Sequence, residues 1–132
     1  MLFRTFHSQK ERREFGGSYF IEIQYSRLPP NAKIEEFLSG EHEMELWKND
    51  SLYIYGDDDN VFFSNYEKVF SHGMYGNGKT GVVDLCGINY YSVEETQNIL
   101  QKLQKEHLPD QEKLMCWLEK VKQYSGFYIL GL

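Results

Sequence analysis

A chain of 132 residues with 41% hydrophobic and 16% aromatic side chains is long enough to bury one core and too apolar to be intrinsically disordered, so residues 1–132 are expected to form a single domain. The net charge of −6 argues against nucleic acid as a partner, because an acidic surface repels phosphates. No stretch resembles a signal peptide or reaches the ~20 apolar residues of a membrane helix, so a soluble cytoplasmic protein without a membrane partner is expected.

The N-terminal part of the chain predicts strands, a loop and a short helix. A strand is expected at residues 1–5 and a charged loop at residues 10–14. Residues 18–26 alternate apolar and polar side chains with a period of two, which is typical of a half-buried strand. Phe20 is the one side chain that does not fit this alternation. Residues 32–38 follow a proline pair and predict a short helix.

The segment of residues 35–59 holds nine acidic side chains and a single lysine, a charge of −8, whereas the rest of the chain carries +2. Two alternating runs inside it, Glu43–Trp47 and Ser51–Tyr55, predict a β-hairpin. A three-residue loop would pair Leu46 with Leu52. That register gives the hairpin one apolar face and one face of glutamate and tyrosine side chains.

The polar face of this hairpin, extended by the acidic turn that follows it, is predicted to bind a partner protein. Its acidic residues are segregated from basic ones and interleaved with the aromatic types that anchor interfaces. A solvated, charge-rich face that guards a sheet edge is the alternative interpretation. The residues predicted to contact the partner are Glu43, Glu45, Trp47, Tyr53, Tyr55, Asp57, Asp58 and Asp59.

The C-terminal half predicts two helices and two buried strands. Ser92 and Glu95 have the spacing of a capping box, and a stripe of apolar residues at helical spacing follows them. A second helix is expected to start near Asp110, residues 82–86 predict a buried strand, and residues 127–130 are apolar on both faces, as in a central strand. The sequence therefore predicts an α+β fold, a mostly antiparallel sheet with two C-terminal amphipathic helices packed on one face.

Two segments between these parts are less regular. Residues 61–70 fit either a strand or a short helix. Residues 73–80 match the phosphate-binding pattern G-x-x-x-x-G-K-[ST], which would place Lys79 on a phosphate. That chemistry needs a helix that begins at the lysine, and the strand-like residues that follow favour a flexible connecting loop instead.

Other catalytic and metal-binding patterns are weak. Cys86 and Cys116 lie in apolar contexts and are expected to be free, buried thiols, with a disulfide as the alternative. His72 and His107 are candidate bases for Cys86, but nothing in the sequence brings these side chains together. The histidines have no ligand-like spacing, and the aspartates after Gly56 do not continue as a calcium loop, so no catalytic residue, metal or cofactor is predicted.

Three segments of the C-terminal third carry a resemblance: Gly87-Ile88-Asn89-Tyr90-Tyr91-Ser92, Cys116-Trp117-Leu118-Glu119-Lys120 and Gly126-Phe127-Tyr128-Ile129-Leu130-Gly131-Leu132. In these segments, in size and in acidity the chain resembles small bacterial immunity proteins of polymorphic or contact-dependent growth-inhibition toxin systems. The resemblance implies a cytoplasmic antitoxin, not an enzyme, that binds and inhibits a cognate basic toxin domain, often a nuclease. The alternatives are a small enzyme built on the glycine-rich segment or Cys86, and a homodimeric regulatory or structural subunit.

Overall fold

The computed structural model describes residues 1–39 and 47–132. These residues form a six-stranded antiparallel sheet and five helices, which confirms the predicted α+β fold. The strands are β1 (Phe20–Tyr25), β2 (Leu52–Tyr55), β3 (Gly73–Met74), β4 (Thr80–Gly81), β5 (Ile88–Tyr91) and β6 (Phe127–Leu130). The helices are α1 (Gln9–Gly16), α2 (Ile34–Leu38), α3 (Asp59–Tyr66), α4 (Val93–Leu103) and α5 (Gln111–Glu119).

The last strand of the chain lies in the middle of the sheet. The strand order is β2-β1-β6-β5-β3-β4, and the strands pair antiparallel. Ile129 of β6 lies opposite Ile23 of β1, and Phe127 lies opposite Tyr91 of β5. The prediction of a central strand at residues 127–130 is therefore confirmed.

The main core lies between one face of the sheet, the inner face, and helices α3, α4 and α5. Alternate residues of β1, β2 and β6 point into this core, among them the fully buried Ile21, Ile54 and Ile129. The two C-terminal helices pack on this face as predicted, and their buried residues here are Ile99, Leu103, Leu114, Trp117 and Leu118.

The opposite, outer face of the sheet is also buried, because α1 and α2 cover parts of it. The cluster next to α1 consists of Phe6, Phe20 and Tyr53, and the cluster under α2 consists of Phe37, Tyr90 and Tyr128. Phe20 therefore fits the strand, since it packs on the outer face. The prediction of a half-buried strand is wrong for β1, which is covered on both faces.

The charged loop predicted at residues 10–14 is instead part of helix α1. The Ser8 hydroxyl accepts a hydrogen bond from the Glu11 N–H (3.1 Å), and the Glu11 carboxylate accepts one from the His7 N–H (2.9 Å). This capping arrangement satisfies two N–H groups at the start of the helix and outweighs the high charge of the segment. Of the strand predicted at residues 1–5, one bridge to β2 forms.

The middle of the chain differs from the prediction in three places. The ambiguous segment at residues 61–70 is mainly helical, and residues 73–81 contain the hairpin β3–β4 and not an open loop. The buried strand predicted at residues 82–86 is wrong, because the chain turns there. The Asp84 carboxylate accepts a hydrogen bond from the Cys86 N–H (2.9 Å), a local turn that competes with strand pairing. The strand β5 starts only after this turn.

The side chains that precede the two C-terminal helices accept hydrogen bonds from backbone N–H groups. The Ser92 hydroxyl accepts a hydrogen bond from the Glu95 N–H (3.0 Å), which confirms Ser92 as the predicted N-cap. Asp110 precedes α5 with a φ of 57°, and its carboxylate accepts a hydrogen bond from the Phe3 N–H (2.8 Å). The N-terminal residues are thereby attached to the C-terminal helical layer.

An aromatic stack joins β1 to α5. The Tyr25 ring lies between those of Trp117 and Tyr124, with centroid distances of 3.9 and 4.3 Å. The Tyr25 hydroxyl donates to the Trp117 carbonyl (2.8 Å), and the Trp117 indole N–H donates to the Asp50 carbonyl (2.7 Å). Burial raises the pKa of Tyr25, because desolvation penalises the phenolate. The two hydrogen bonds satisfy the polar ends of the stack.

We expect Ile129→Ala to lower the free energy of unfolding by about 2–5 kcal/mol, because the lost methyl groups leave a cavity at the centre of the sheet. Urea denaturation followed by tryptophan fluorescence measures the change. Ile88→Ala is the matched control, since Ile88 lies on the neighbouring strand and is 43% exposed. Ile88→Ala should lower the free energy of unfolding by less than about 1 kcal/mol. Equal losses in the two variants would contradict the central role of β6.

Candidate functional site

The predicted hairpin register is wrong at Tyr53. On one edge Tyr53 faces Glu22 of β1, and on the other edge it exchanges two backbone hydrogen bonds of 2.8 Å with Arg4. Both edges of β2 are therefore occupied at this position, and no edge remains for the partner strand that the hairpin required. Glu43 and Glu45 of the predicted face lie outside the described residues.

Tyr53 and Trp47 pack against other parts of the same chain. Tyr53 is fully buried, and the Trp47 ring stacks on it with a centroid distance of 5.7 Å. The Arg12 guanidinium of α1 lies 5.4 Å from the Trp47 ring centre and 5.6 Å from that of Tyr53. The Tyr53 ring therefore has no surface to offer a partner, and Trp47 is half-buried.

A second group of aromatic rings lies where β1 begins and β2 ends, and it is exposed. Phe15 and Tyr19 are each 46% exposed, and Tyr55 is partly exposed. The Tyr55 ring meets both neighbours edge to face, with centroid distances of 5.5 Å to Phe15 and 5.7 Å to Tyr19. We call Phe15, Tyr19 and Tyr55 the aromatic patch. Tyr55 belongs to the predicted binding face, whereas Phe15 and Tyr19 were not predicted.

Two glycines make room for the tyrosine rings of the patch. A Cβ at Gly16 would lie 2.4 Å from Cε1 of Tyr55, and a Cβ at Gly56 would lie 2.3 Å from Cε2 of Tyr19. The Gly56 N–H also donates to the Tyr19 carbonyl (2.9 Å). Each ring therefore lies against backbone that only glycine leaves accessible.

Three acidic residues border the patch in the sequence, because Asp57, Asp58 and Asp59 follow Tyr55 and Gly56 directly in the chain. They occupy a short 3₁₀ turn and the first residue of α3, where negative charge stabilises the helix N-terminus. The described part of the chain contains two ion pairs, Lys10–Glu14 and Arg27–Asp50, and neither involves these aspartates. Their charges are therefore available to a cationic partner.

The described acidic residues of the segment at residues 35–59 lie on separate parts of the surface. Glu35 and Glu36 stand on α2, which covers the outer face of β5 and β6, whereas the three aspartates lie at the end of β2. Asp50 forms an ion pair with Arg27. Among the described residues, the acidic side chains that border the patch are Asp57, Asp58 and Asp59.

Two local misassignments explain why the sequence did not predict Phe15 and Tyr19. Phe15 lies just after the segment that was predicted to be a loop. The spacing of Ser8 and Glu11 is that of a capping box and would have predicted a helix that includes Phe15. Tyr19 was assigned to the regular alternation of β1, but the strand begins one residue later. Its ring leaves that alternation and turns over Gly56.

On the outer face, beside Tyr53, Glu22 is a partly buried carboxylate. Its Oε1 accepts a hydrogen bond from the Tyr53 hydroxyl (3.2 Å), and the charges of Arg12 and Lys48 lower its pKa. Ser51 lies close enough to lower it as well, although the Ser51 hydroxyl makes no hydrogen bond of normal geometry. Burial outweighs these effects, so the pKa of Glu22 is raised above its usual value.

The residues of the other sequence motifs are not assembled into one site. Lys79 is exposed between β3 and β4, and a strand follows it where a phosphate-binding loop would need a helix. Cys86 and Cys116 are free, but both are exposed and not buried as predicted. Cys86 lines an apolar groove at the outer face, whereas His72 lies beside Glu95 next to α4.

Within residues 1–39 and 47–132, no group of three or more histidine, cysteine, aspartate or glutamate side chains is arranged to hold a metal ion. In the same two ranges, no helix combines the length and the apolarity that crossing a bilayer requires. No family model, curated protein or solved structure matches this chain. The candidate site is therefore interpreted from its own geometry.

Gly56→Ala should displace the Tyr19 ring, because the new Cβ would occupy its place. Since Tyr19 can swing into solvent, we expect a stability cost of about 1 kcal/mol, at the low end of overpacking costs. The measurement is the ring-current shift of the Tyr19 and Tyr55 protons by NMR. Gly76→Ala serves as control, since a Cβ there meets no atom within 4 Å. Unchanged ring shifts in Gly56→Ala would contradict the described packing.

Glu22→Gln should flatten the dependence of stability on pH. Because the pKa of Glu22 is raised in the folded state, the folded protein binds more protons than the unfolded chain between the two pKa values. The wild-type stability should therefore fall as pH rises from the ordinary carboxyl pKa through the raised one. Denaturant titrations between about pH 4 and 8 measure the slope. The exposed Glu35→Gln should keep the wild-type slope, and an unchanged slope in Glu22→Gln would contradict the assignment.

Proposed function

We propose that this protein is an immunity protein, an antitoxin that binds a cognate basic toxin domain and inhibits it stoichiometrically. The observation that carries the proposal is the exposed aromatic patch, bordered by three carboxylates without a cation partner among the described residues. The resemblance of the C-terminal segments to immunity proteins supports the same function, and a cytoplasmic location is part of the proposal. A nuclease domain is the proposed class of toxin.

The charge of the chain fits such a partner. A nuclease domain presents lysine and arginine side chains because it binds a phosphate backbone, and a protein of net charge −6 attracts that surface over about a Debye length. At contact, Asp57, Asp58 and Asp59 can accept charge-assisted hydrogen bonds from the same basic side chains. The carboxylates thus take the positions that phosphates take in the nucleic-acid complex.

The aromatic patch supplies the apolar part of the proposed interface. Tyrosine and phenylalanine rings give large contact area with little rotamer entropy to lose, which is why they recur as interface anchors. In this chain the rings of Tyr19 and Tyr55 already lie against Gly56 and Gly16. A partner that binds them therefore contacts side chains that are already ordered, so less conformational entropy is lost on binding.

Inhibition of this kind needs no chemistry within the chain. A one-to-one complex that covers the phosphate-binding surface of the toxin excludes its substrate for as long as the complex lasts. Rapid association is the property that matters for protection, and electrostatic steering raises association rates to about 10⁸ M⁻¹s⁻¹ or more at low salt. The proposal therefore makes the border of aspartates a determinant of rate and the aromatic rings a determinant of complex lifetime.

Coexpression with each protein encoded beside its gene tests the proposal, with growth as the first readout. One neighbour should be toxic alone and harmless with the wild-type chain. For that pair, Asp57→Asn with Asp58→Asn should slow association about tenfold at low ionic strength and flatten its dependence on salt. The matched double variant Glu35→Gln with Glu36→Gln removes the same charge from α2 and should leave the rate near the wild-type value.

Thermal unfolding of both double variants keeps this test interpretable. Removing two aspartates from the start of α3 should cost about 0.3–1 kcal/mol per residue, which leaves the protein folded. A failure of the wild-type chain to protect against any neighbour would contradict the immunity function. Equal association rates in the two double variants would contradict the assignment of the binding surface.

A further inference from the structure

Arginine makes each cation–π contact of the described residues. Arg4 lies over Phe15, Arg12 over Trp47 and Tyr53, and Arg27 over Tyr124. The chain has ten lysines and only four arginines, so the preference for arginine does not follow from the composition. A guanidinium is planar and weakly hydrated and stacks on an aromatic ring more readily than a compact ammonium does.

One of these contacts lies at the edge of the aromatic patch itself. The Arg4 guanidinium carbon lies 4.4 Å from the centre of the Phe15 ring, and its Nε is buried without a hydrogen-bond acceptor. Phe15 thus already holds one guanidinium from its own chain. Tyr19 and Tyr55 carry no such cation among the described residues, although both remain partly exposed.

The Tyr19 ring packs on the residue that precedes Asp57. The Tyr19 ring lies where a Cβ of Gly56 would be, and Asp57 is the next residue, one backbone step of ~3.8 Å away. The backbone of Asp57 therefore lies next to the backbone on which the Tyr19 ring packs. A guanidinium can stack flat on a ring and at the same time donate two parallel N–H bonds to a carboxylate. An ammonium cannot combine these two contacts.

We propose that the aromatic patch is an arginine-binding site, in which a guanidinium from the partner stacks on the Tyr19 ring, beside Tyr55, and donates to Asp57. The partner segment is accordingly an exposed arginine-bearing loop of a basic protein. This inference rests on the proposed function, because it names the chemical group that the same surface recognises. It also distinguishes the site from a general acidic surface, which would accept lysine equally well.

The test uses two short peptides, Gly-Arg-Gly and Gly-Lys-Gly, each blocked at both ends, titrated into the isotopically labelled full chain. Backbone N–H resonances of Gly16, Gly56 and Asp57 report binding at the patch. We expect the arginine peptide to bind about three- to tenfold more tightly than the lysine peptide. Tyr19→Leu should abolish this preference while retaining weak binding of both peptides, because the carboxylates remain.

Two control variants locate the effect. Asp57→Asn should weaken the arginine peptide about threefold or more, as expected for loss of a charge-assisted hydrogen bond. Glu35→Gln, which removes an equal charge from α2, should leave both affinities unchanged. Because Tyr19 is half exposed, Tyr19→Leu is expected to remain folded, and its thermal unfolding curve provides the check.

The outcomes separate this inference from the proposed function. Equal affinities for the two peptides, or shifts confined to other surfaces, would overturn arginine recognition, while protection against a neighbouring toxin would still support the immunity function. Absence of shifts with both peptides would overturn the patch as a cation site. Arginine preference without protection by the wild-type chain would support the site and contradict the antitoxin function.

Discussion

The fold depends on the insertion of the C-terminal strand β6 between β1 and β5. Without that strand the sheet would be divided into a pair, β2 and β1, and a group of three, β5, β3 and β4. The chain just before β6 comes close to β5 at Gly126, whose φ is 100°. A Cβ at this residue would lie 2.3 Å from the Tyr91 carbonyl oxygen. A residue other than glycine would push β6 away from β5 at the point where the strand begins.

A central strand that is apolar on both faces requires cover on both sides of the sheet, and this explains the many tyrosines. Their rings fill the core while their hydroxyls donate hydrogen bonds to backbone carbonyls. Tyr25, Tyr66, Tyr90 and Tyr128 each donate to a carbonyl oxygen, at 2.7 or 2.8 Å. Tyrosine content alone therefore says little about binding here, since most of these rings join layers of the fold.

The features that could be predicted from the sequence are those whose signals are local. The Ser92 cap, the apolar stripe of α4 and the doubly apolar β6 each depend on residues within a few positions, and all three are confirmed. Strand pairing, in contrast, is decided by distant segments: β2 pairs with β1 and with Arg4, and residues 43–46 of the predicted hairpin lie outside the described residues. For the same reason Tyr53 became a core residue, although its neighbours in the sequence suggested a surface.

The aromatic patch is a consequence of how the outer face is covered. Helix α1 has only eight residues and ends at Gly17, where a φ of 66° turns the chain back into β1. Its last two residues, Phe15 and Gly16, pack on the Tyr55 ring, which remains partly exposed. A side chain at residue 16 would displace the Tyr55 ring. The geometry that ends the helix thus leaves rigid rings exposed beside a helix start that favours negative charge, which combines apolar and ionic recognition in one place.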